Sequence, residues 1–354
     1  MIRKLGSLVA VASLGSSLAP AGPGVAPVVA SIEATMRTEG QNIGQLAFDG
    51  DPSSFYASDK SAGKHDRFTL AFDRPVKVSE LAVLVGRDDK DESSDRVKVL
   101  VSADGSTFED AAKPVGREAK VAFPGGREVK AVRIVPTEDL SHPLTIREIS
   151  VKSDPAVTTF RWPVEFVVDV SDAPEMKDWA EGAARACERA YPMICEELKS
   201  DGYTPARLIS MTLSSSYQGV AQAAGTRITG SVKFFKDHPD DVGAMVHETT
   251  HVVQRYRSGG NPSWLVEGVA DYVRFFKYEP GKIGRIDPER ARYDASYRTT
   301  AAFLAYVVEK YDKSLILDLN RAMREGKYRE EIFKERTGKP LKELGDEWKA
   351  TLKK

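Results

Sequence analysis

The stretch Val242-Gly-Ala-Met-Val-His-Glu-Thr-Thr-His-Val-Val-Gln-Arg-Tyr256 carries apolar residues at helical spacing. Pro239-Asp-Asp241, immediately before it, supplies residue types that begin a helix. At about 100° per residue, the apolar positions fall in one stripe roughly 120° wide. These positions are Val242, Met245, Val246, Thr249, Val252, Val253 and Tyr256. His247 and His251 lie nearly opposite the stripe, so the pattern favours a chemical role for them over packing in a core.

His247, Glu248 and His251 form a His-Glu-x-x-His motif. Two imidazoles four residues apart on a helix are neighbours that can bind one cation. A catalytic zinc site needs a third protein ligand and keeps its fourth position for water. The metzincin arrangement, with Gly and then His further along the segment, fails because Gln254 and Arg257 stand at those positions. The third ligand must therefore come from elsewhere in the chain.

A second helix is predicted for Trp264-Leu-Val-Glu-Gly-Val-Ala-Asp-Tyr272, with Asn261-Pro-Ser263 as its turn and cap. Its apolar residues again share one stripe. Glu267 and Asp271 lie together on the opposite side, four residues apart. Two successive helices that both turn their apolar stripes away from polar pairs can place those pairs against a common cleft. Glu267 is therefore the candidate third ligand.

Zinc chemistry predicts a role for each of these side chains. We expect His247, His251 and Glu267 to hold Zn²⁺ in three tetrahedral positions, with water in the fourth. The metal lowers the pKa of that water towards ~7, and Glu248 takes its proton and passes it to the leaving amine. Asp271 accepts the free ring N–H of a ligating histidine, by preference His247, and so fixes its tautomer.

These residues resemble the gluzincin pattern, which is shared in outline with thermolysin. The longer string His247-Glu-Thr-Thr-His-Val-Val-Gln254, followed by Asn261-Pro-Ser-Trp-Leu-Val-Glu-Gly-Val-Ala-Asp-Tyr-Val-Arg274, is similar to the basic secretory protein family of plant and bacterial peptidases. The stretches 225–231 and 297–304 resemble that family too. The resemblance covers about 163–354 and implies a zincin-like fold and proteolysis.

The resemblance leaves some roles open. Thermolysin-type enzymes carry Asn where Val266 stands, so no partner is assigned to the second ring nitrogen of His251. In zincins an edge strand beside the active helix pairs with the substrate backbone, and 227–235 is the candidate by position, although an ordinary hairpin strand fits it equally well. An oxyanion stabiliser is also expected, with Tyr297 as first choice. The alternatives are Tyr272, Arg274 and His238.

The segment from about 31 to 152 has a β pattern. Apolar residues alternate with period two in 68–72, 97–101 and 132–134, and Asp, Gly and Pro clusters lie between such runs. Short strands at fairly regular spacing, with no helical pattern between them, predict an antiparallel β-sandwich. The strands and helices that follow predict an α+β domain that is largely helical towards its end.

The sandwich segment also resembles the discoidin (coagulation-factor C-type) family, a jelly roll that includes many carbohydrate-binding modules. The likeness rests on Ala47-Phe-Asp-Gly-Asp-Pro-Ser-Ser-Phe-Tyr56, the turn 102–108 and the strand Ile146-Arg-Glu-Ile149. Many relatives hold a structural Ca²⁺, which would use Asp49, Asp51 and Glu148 here.

Two departures and one alternative bear on the calcium prediction. Family members usually have Thr and Trp where this chain has Ser54 and Tyr56. These two departures count against both calcium binding and glycan binding. A turn that is rich in Asp because Asp favours turns is the competing interpretation.

Length and charge set further limits. The chain has 354 residues, which suggests two domains, and its net charge of −1 argues against a nucleic-acid partner. Residues 1–30 have the basic and then apolar order of a signal peptide, and no later run reaches the length of a transmembrane helix. We therefore predict a secreted or periplasmic protein with a sandwich at 31–153, a linker at 154–162 and a peptidase domain at 163–354.

The sequence contains two cysteines. Cys187 and Cys195 would lie ~12 Å apart on one helix, too far for a disulfide unless Pro192 bends it.

Taken together, the patterns predict a zinc peptidase that acts on peptides or proteins, attached to a module with carbohydrate or cell-surface material as its expected ligand. One alternative is a glycan-binding protein whose peptidase-like domain no longer turns over. The other is a zinc hydrolase of a non-peptide amide, since the chemistry at the carbonyl is alike.

Overall fold

The computed structural model describes residues 27–87, 95–257, 259–295 and 297–353. The predicted signal peptide therefore lies outside the described residues up to position 26. Its last residues are part of the fold, since Val28 is fully buried and forms an isolated bridge with Val157. Within the four ranges, no helix combines the length and the apolar character needed to cross a membrane.

An antiparallel β-sandwich forms the first half of the described chain, as predicted. Each strand buries the apolar members of its alternating pattern, and this fixes which face turns inward. The strands are β1 (Ala30–Ala34), β2 (Tyr56–Ser61), β3 (Phe68–Val85), β4 (Val97–Ser102), β5 (Glu109–Ala112), β6 (Glu118–Pro136) and β7 (Pro143–Asp154).

Two long strands, β3 and β6, connect the layers of the sandwich. The first part of β3 pairs with β1 and its last part pairs with β7, while β6 runs beside both parts. The register between β3 and β6 shifts between Ala71 and Val76, where the strands bend. One hydrogen-bonded sheet therefore folds over a core that includes Phe68, Leu70 and Ile149.

The segment predicted as a linker, 154–162, packs against both halves of the chain. Val157 and Phe160 lie on the core of the sandwich, where the Phe160 ring meets Phe48 edge-on at 6.1 Å. Trp162 instead packs on the core of the second half. These apolar side chains anchor the connection on both sides.

A mixed sheet and helices make up the second half. In the described part of this half, the sheet has the order β10 (Ala221–Ala224), β11 (Arg227–Ser231), β9 (Leu208–Ser214) and β8 (Glu165–Asp169). β10 and β11 are antiparallel, whereas the other pairs are parallel. The α-helices among the described residues are α1 (Lys177–Glu197), α2 (Val232–Asp237), α3 (Gly243–Gln254), α4 (Ser263–Tyr272), α5 (Tyr297–Lys310), α6 (Leu315–Glu325), α7 (Glu331–Thr337) and α8 (Leu341–Thr351).

The two predicted site helices are present as α3 and α4, although their ends differ in detail from the prediction. Asp241 accepts the Ala244 amide at the start of α3. The Asn-Pro-Ser cap of α4 is different from the one expected, because Pro262 stands at the cap and no side chain bonds there. The Asn261 amide instead donates to the carbonyl of Met323 on α6.

The strand predicted for 227–235 is shorter than expected. β11 ends at Ser231, whose hydroxyl accepts the amide of Phe234 at 3.3 Å and so caps α2. Cys187 and Cys195 lie buried and unbonded to each other in α1, as their spacing indicated.

Candidate metal centre

Helices α3 and α4 bring three predicted donor atoms together. His247 Nε2 lies 3.1 Å from His251 Nε2 and 3.2 Å from Glu267 Oε2. His251 Nε2 lies 3.3 Å from the same oxygen. Among the described residues, these side chains are the one group of three or more His, Cys, Asp and Glu residues whose donor atoms all lie within 4.8 Å of one another.

The second nitrogen of each imidazole faces an oxygen acceptor. His247 Nδ1 is 2.7 Å from Asp271 Oδ1, and His251 Nδ1 is 2.7 Å from the amide oxygen of Gln254. The Gln254 amide nitrogen donates to the carbonyl of Val266 at 3.0 Å, which fixes the orientation of that amide. In the neutral form of each ring the proton therefore lies on Nδ1, and the Nε2 lone pair points towards Glu267.

This donor set fits a small divalent cation. Two lone pairs and a carboxylate oxygen repel one another at these distances unless a positive charge lies between them. Donors 2.0–2.1 Å from a tetrahedral ion are separated by about 3.3 Å, and the three separations observed here are 3.1, 3.2 and 3.3 Å. The group can therefore hold a tetrahedrally coordinated metal ion without rearrangement.

The proximity of the three donors also shifts the pKa values of the site residues. Burial disfavours the charge on Glu267, but hydrogen bonds from His247 and His251 outweigh it and lower the pKa of Glu267 to about 2. Burial also disfavours the imidazolium of His247, yet its bonds to Asp271 and Glu267 raise its pKa to about 9. A positive charge among these donors is therefore favoured. Glu248, between the two histidines in sequence, has a pKa that burial raises.

Gln254 is the site residue that sequence reasoning left unassigned. It follows His251 by three residues, so the helical spacing that singled out the histidines also places Gln254 beside them. Arg324 of α6 supports the same turn by donating to the carbonyls of Val253 and Gln254, at 3.0 and 3.2 Å. The last turn of α3 is thus held from outside the helix.

An open cleft of about 1060 Å³ runs over these donors. Its lining includes residues of α3 and of β10 with the loop before it, among them Tyr217 and Val220. The prediction that 227–235 supplies the edge strand is wrong, because β11 lies between β9 and β10. The strand at the edge of the sheet beside the site is β10.

Tyr297 and Arg274 are the predicted oxyanion candidates that line the cleft. The Tyr297 ring stacks on His247 with centroids 6.1 Å apart, and its backbone has a left-handed φ of 49°. Arg274 is already paired with Asp241 and Glu279. Tyr272 stacks on Phe276 and His238 packs on Phe234, and neither lines the cleft.

The predicted calcium ligands lie in the sandwich loop and in β7. Asp49 Oδ1 accepts the Asp51 amide at 3.0 Å, and Glu148 Oε2 accepts the Gly50 amide at 3.2 Å. Burial and then the charge of Asp49 raise the pKa of Glu148 to about 7. Within the described ranges, the three carboxylates do not come within 4.8 Å of one another as a group. Calcium binding here stays a prediction.

Comparisons with known proteins treat the two halves separately. Residues 30–149 match the family model of the F5/8 type C domain. Solved structures that match include CBM32-1 from a family 31 glycoside hydrolase of Clostridium perfringens, with 22% identity, 34% of this chain and 92% of that chain covered, and a TM-score of 0.31. The family 32 CBM of C. perfringens NanJ, solved in complex with galactose, is 15% identical, and the match covers 34% of this chain and 92% of that chain with a TM-score of 0.30.

Among curated proteins, no match was found. The second half of the chain, residues 169–348, matches the family model described as the peptidase of plants and bacteria. This match spans just over half of the 354 residues and contains His247, Glu248, His251 and Glu267. The chain therefore belongs to the family of peptidases of plants and bacteria.

Proposed function

We propose that this protein is a secreted zinc peptidase in which His247, His251 and Glu267 hold the metal. The observation that carries the proposal is the triangle of donor atoms, with separations of 3.1, 3.2 and 3.3 Å. Three protein ligands of the His₂Glu type are characteristic of catalytic zinc, since they leave a fourth position open. The cleft above the donors gives a substrate access to that side.

A zinc ion at this site would supply Lewis-acid chemistry, lowering the pKa of a water towards ~7 and polarising the scissile carbonyl. Asp271 and Gln254 hold the proton on Nδ1 of each histidine, which keeps the Nε2 atoms available. Glu248 then accepts the proton of the attacking water on its carboxylate and delivers it to the leaving amine nitrogen. The raised pKa of Glu248 suits a group that both accepts and returns a proton.

Tyr297 is proposed to stabilise the oxyanion. Its ring lies over His247 on the open side of the site, and 55% of the residue is exposed to the cleft and solvent. The charge of Glu267, followed by burial and Glu248, raises the pKa of the phenol. Tyr297 therefore stays protonated at neutral pH and can donate a hydrogen bond to developing negative charge.

The test is zinc content together with casein digestion. We expect about one zinc per chain, loss of digestion with a chelator, and recovery when zinc is restored. Glu248→Gln should retain the metal and lose activity by at least about 100-fold, the usual range for a general base. Glu309→Gln, a change of an exposed carboxylate on α5, is the matched control. Zinc-free protein, or full activity in Glu248→Gln, would refute the proposal.

The sandwich is proposed to bind carbohydrate, which would direct the peptidase to glycan or cell-surface material. The family match at 30–149 and the resemblance of the Asp-Gly-Asp loop support this role. A glycan array probed with the full chain tests it, and binding to no glycan would count against it. If casein is untouched while zinc is bound, mass spectrometry of amide-containing glycoconjugates after incubation tests the non-peptide alternative.

A further inference from the structure

The two edges of the four-stranded sheet differ in what covers them. Along β8, the Phe166 amide donates to Glu188 and the Phe166 carbonyl accepts from Arg185, both on α1. Along β10, the outer side pairs with no strand in the part of the chain that the structure describes. This side borders the cleft. The sheet thus leaves a pairing edge open at the proposed active site.

The register identifies the backbone groups on that open edge. Ala221 lies opposite Gly230, and the Ser231 amide donates to the Val220 carbonyl at 3.0 Å. In an antiparallel pair, every second residue bonds to the partner strand. The N–H and C=O groups of Ala221 and Ala223 therefore point away from β11. The Ala223 amide bonds to Glu248, the proposed general base, and both residues line the cleft, so the reacting bond is expected near Ala223. The outward groups left for a substrate are the Ala223 carbonyl and those of Ala221.

Tyr217 already forms a hydrogen bond with one of these outward-facing backbone groups. Its hydroxyl donates to the Ala221 carbonyl at 3.2 Å, and its ring lines the cleft. Gly219 makes the position available, because a Cβ there would lie 2.7 Å from the Tyr217 hydroxyl oxygen. The phenol thus stands where the backbone N–H of an extended peptide would reach Ala221.

We propose that Tyr217 ends the substrate-pairing edge of β10 at Ala221, so that the cleft prefers peptides with one or two residues beyond the cleaved bond. This inference rests on the proposed peptidase function. β10 runs from Ala221 to Ala224, so an antiparallel peptide points its carboxyl-terminal part at Tyr217. Ala223 and Ala221 are about 7 Å apart along the strand, the length of two residues. A longer peptide has to displace the phenol.

The test uses peptides that share one amino-terminal sequence and carry one to four residues after the cleaved bond. For the wild type, kcat/KM is expected to fall beyond two residues. Tyr217→Phe removes the hydroxyl, and Gly219→Ala displaces the phenol without changing it. Each should raise kcat/KM of the four-residue peptide relative to the one-residue peptide about fivefold, through KM, as expected for one hydrogen bond.

Gln218→Ala, on the same loop with an exposed side chain, is the matched control and should keep the wild-type length dependence. Equal changes at all lengths in Tyr217→Phe and Gly219→Ala would overturn the inference. So would a wild-type kcat/KM that does not fall beyond two residues.

A binding experiment separates this inference from the proposed function. Calorimetry with the zinc-loaded Glu248→Gln protein measures the affinity of the same peptides without turnover. The affinity is expected to fall beyond two residues and to recover in the double variant with Tyr217→Phe. If the wild type cleaves no peptide, the proposed function fails, while the binding series still supports or overturns the role of Tyr217.

Discussion

Gln254 connects the two helices that carry the proposed metal ligands. Its amide oxygen accepts from His251 Nδ1 and its amide nitrogen donates to the Val266 carbonyl, next to Glu267. Only 1% of the residue is exposed, so water does not compete for these bonds. Val266, where thermolysin-type enzymes have Asn, contributes its backbone instead of its side chain. The departure in sequence is thereby compensated by a residue on the other helix.

Replacing Gln254 should weaken metal binding. In Gln254→Leu, His251 loses the acceptor that fixes its tautomer, and we expect the zinc Kd to rise about 10- to 100-fold. Gln254→Glu keeps an acceptor for His251 but loses the donor to Val266, so its zinc Kd should lie between those of the wild type and Gln254→Leu. Competition with a chromophoric chelator measures the constants. Gln41→Leu, an exposed change on the sandwich, is the control, and an equal Kd in Gln254→Leu and Gln41→Leu would contradict the role.

Helical spacing was sufficient to select the residues that the structure brings together at the donor triangle. His247 and His251 are one turn apart, as are Glu267 and Asp271, and such pairs meet wherever the helix forms. Spacing gave no information on Tyr297, which reaches His247 across the cleft from another helix. Contacts within an element follow from sequence, whereas contacts between distant elements depend on packing.

At the scale of strands and helices, the prediction and the structure differ where two local sequence signals compete. The alternation from Arg227 to Phe235 favours a continuous strand, but Ser231 is also a strong helix cap, and the cap prevails. The position of a strand within its sheet is harder to predict, because alternation does not reveal which neighbours it has. For this reason β11 was expected at the edge that β10 occupies.

Helix α1 and strand β8 are joined by a carboxylate with an unusual pKa. Glu188 accepts the Phe166 amide at 2.9 Å and pairs with Arg185, with 10% of its side chain exposed. Burial raises its pKa from 4.5 to about 7, although Arg185 opposes the shift. The folded protein therefore binds this proton more tightly than the unfolded chain does.

Stability should consequently fall as pH rises through 7. The contribution is complete below about pH 4.5, where Glu188 is protonated in both states, and is lost as the buried group ionises. At about 1.4 kcal/mol per pKa unit, the loss is about 3 kcal/mol. Glu188→Gln should remove this pH-dependent loss of stability, because glutamine does not ionise. Urea unfolding across this pH range measures the difference from wild type, with the exposed Glu181→Gln as control. If the difference in unfolding free energy between wild type and Glu188→Gln does not change with pH, the assignment to Glu188 is refuted.

At the scale of the whole molecule, the two halves meet through polar contacts at the start of β8. The Thr38 hydroxyl donates to Glu165 at 2.7 Å, and the Val164 amide donates to the side chain of Gln45 at 2.9 Å. Chain length predicted two domains, and the change of pattern near 154 predicted the boundary between them. The contacts themselves could not be predicted, because they join residues more than 100 positions apart.

The buried position of Val28 limits where export processing can cut the chain. The predicted signal peptide offers small-residue sites at 19–21 and at 28–30. Val28 is fully buried, and its carbonyl accepts the Thr158 amide at 3.2 Å. The Val29 carbonyl accepts the Asp73 amide at 2.9 Å. Cleavage after Ala30 would remove all of these contacts, together with the first residue of β1.

If the chain is exported as proposed, we expect the processed protein to begin upstream of Val28, which favours cleavage at 19–21. Amino-terminal sequencing of secreted material reads this position directly. A chain shortened to begin at Ser31 should lose about 1.5–3 kcal/mol of unfolding free energy relative to one that begins at Gly22, the amount for burying one such side chain. Secreted protein that begins at Ser31 and is as stable as the longer chain would show that Val28 is dispensable to the sandwich.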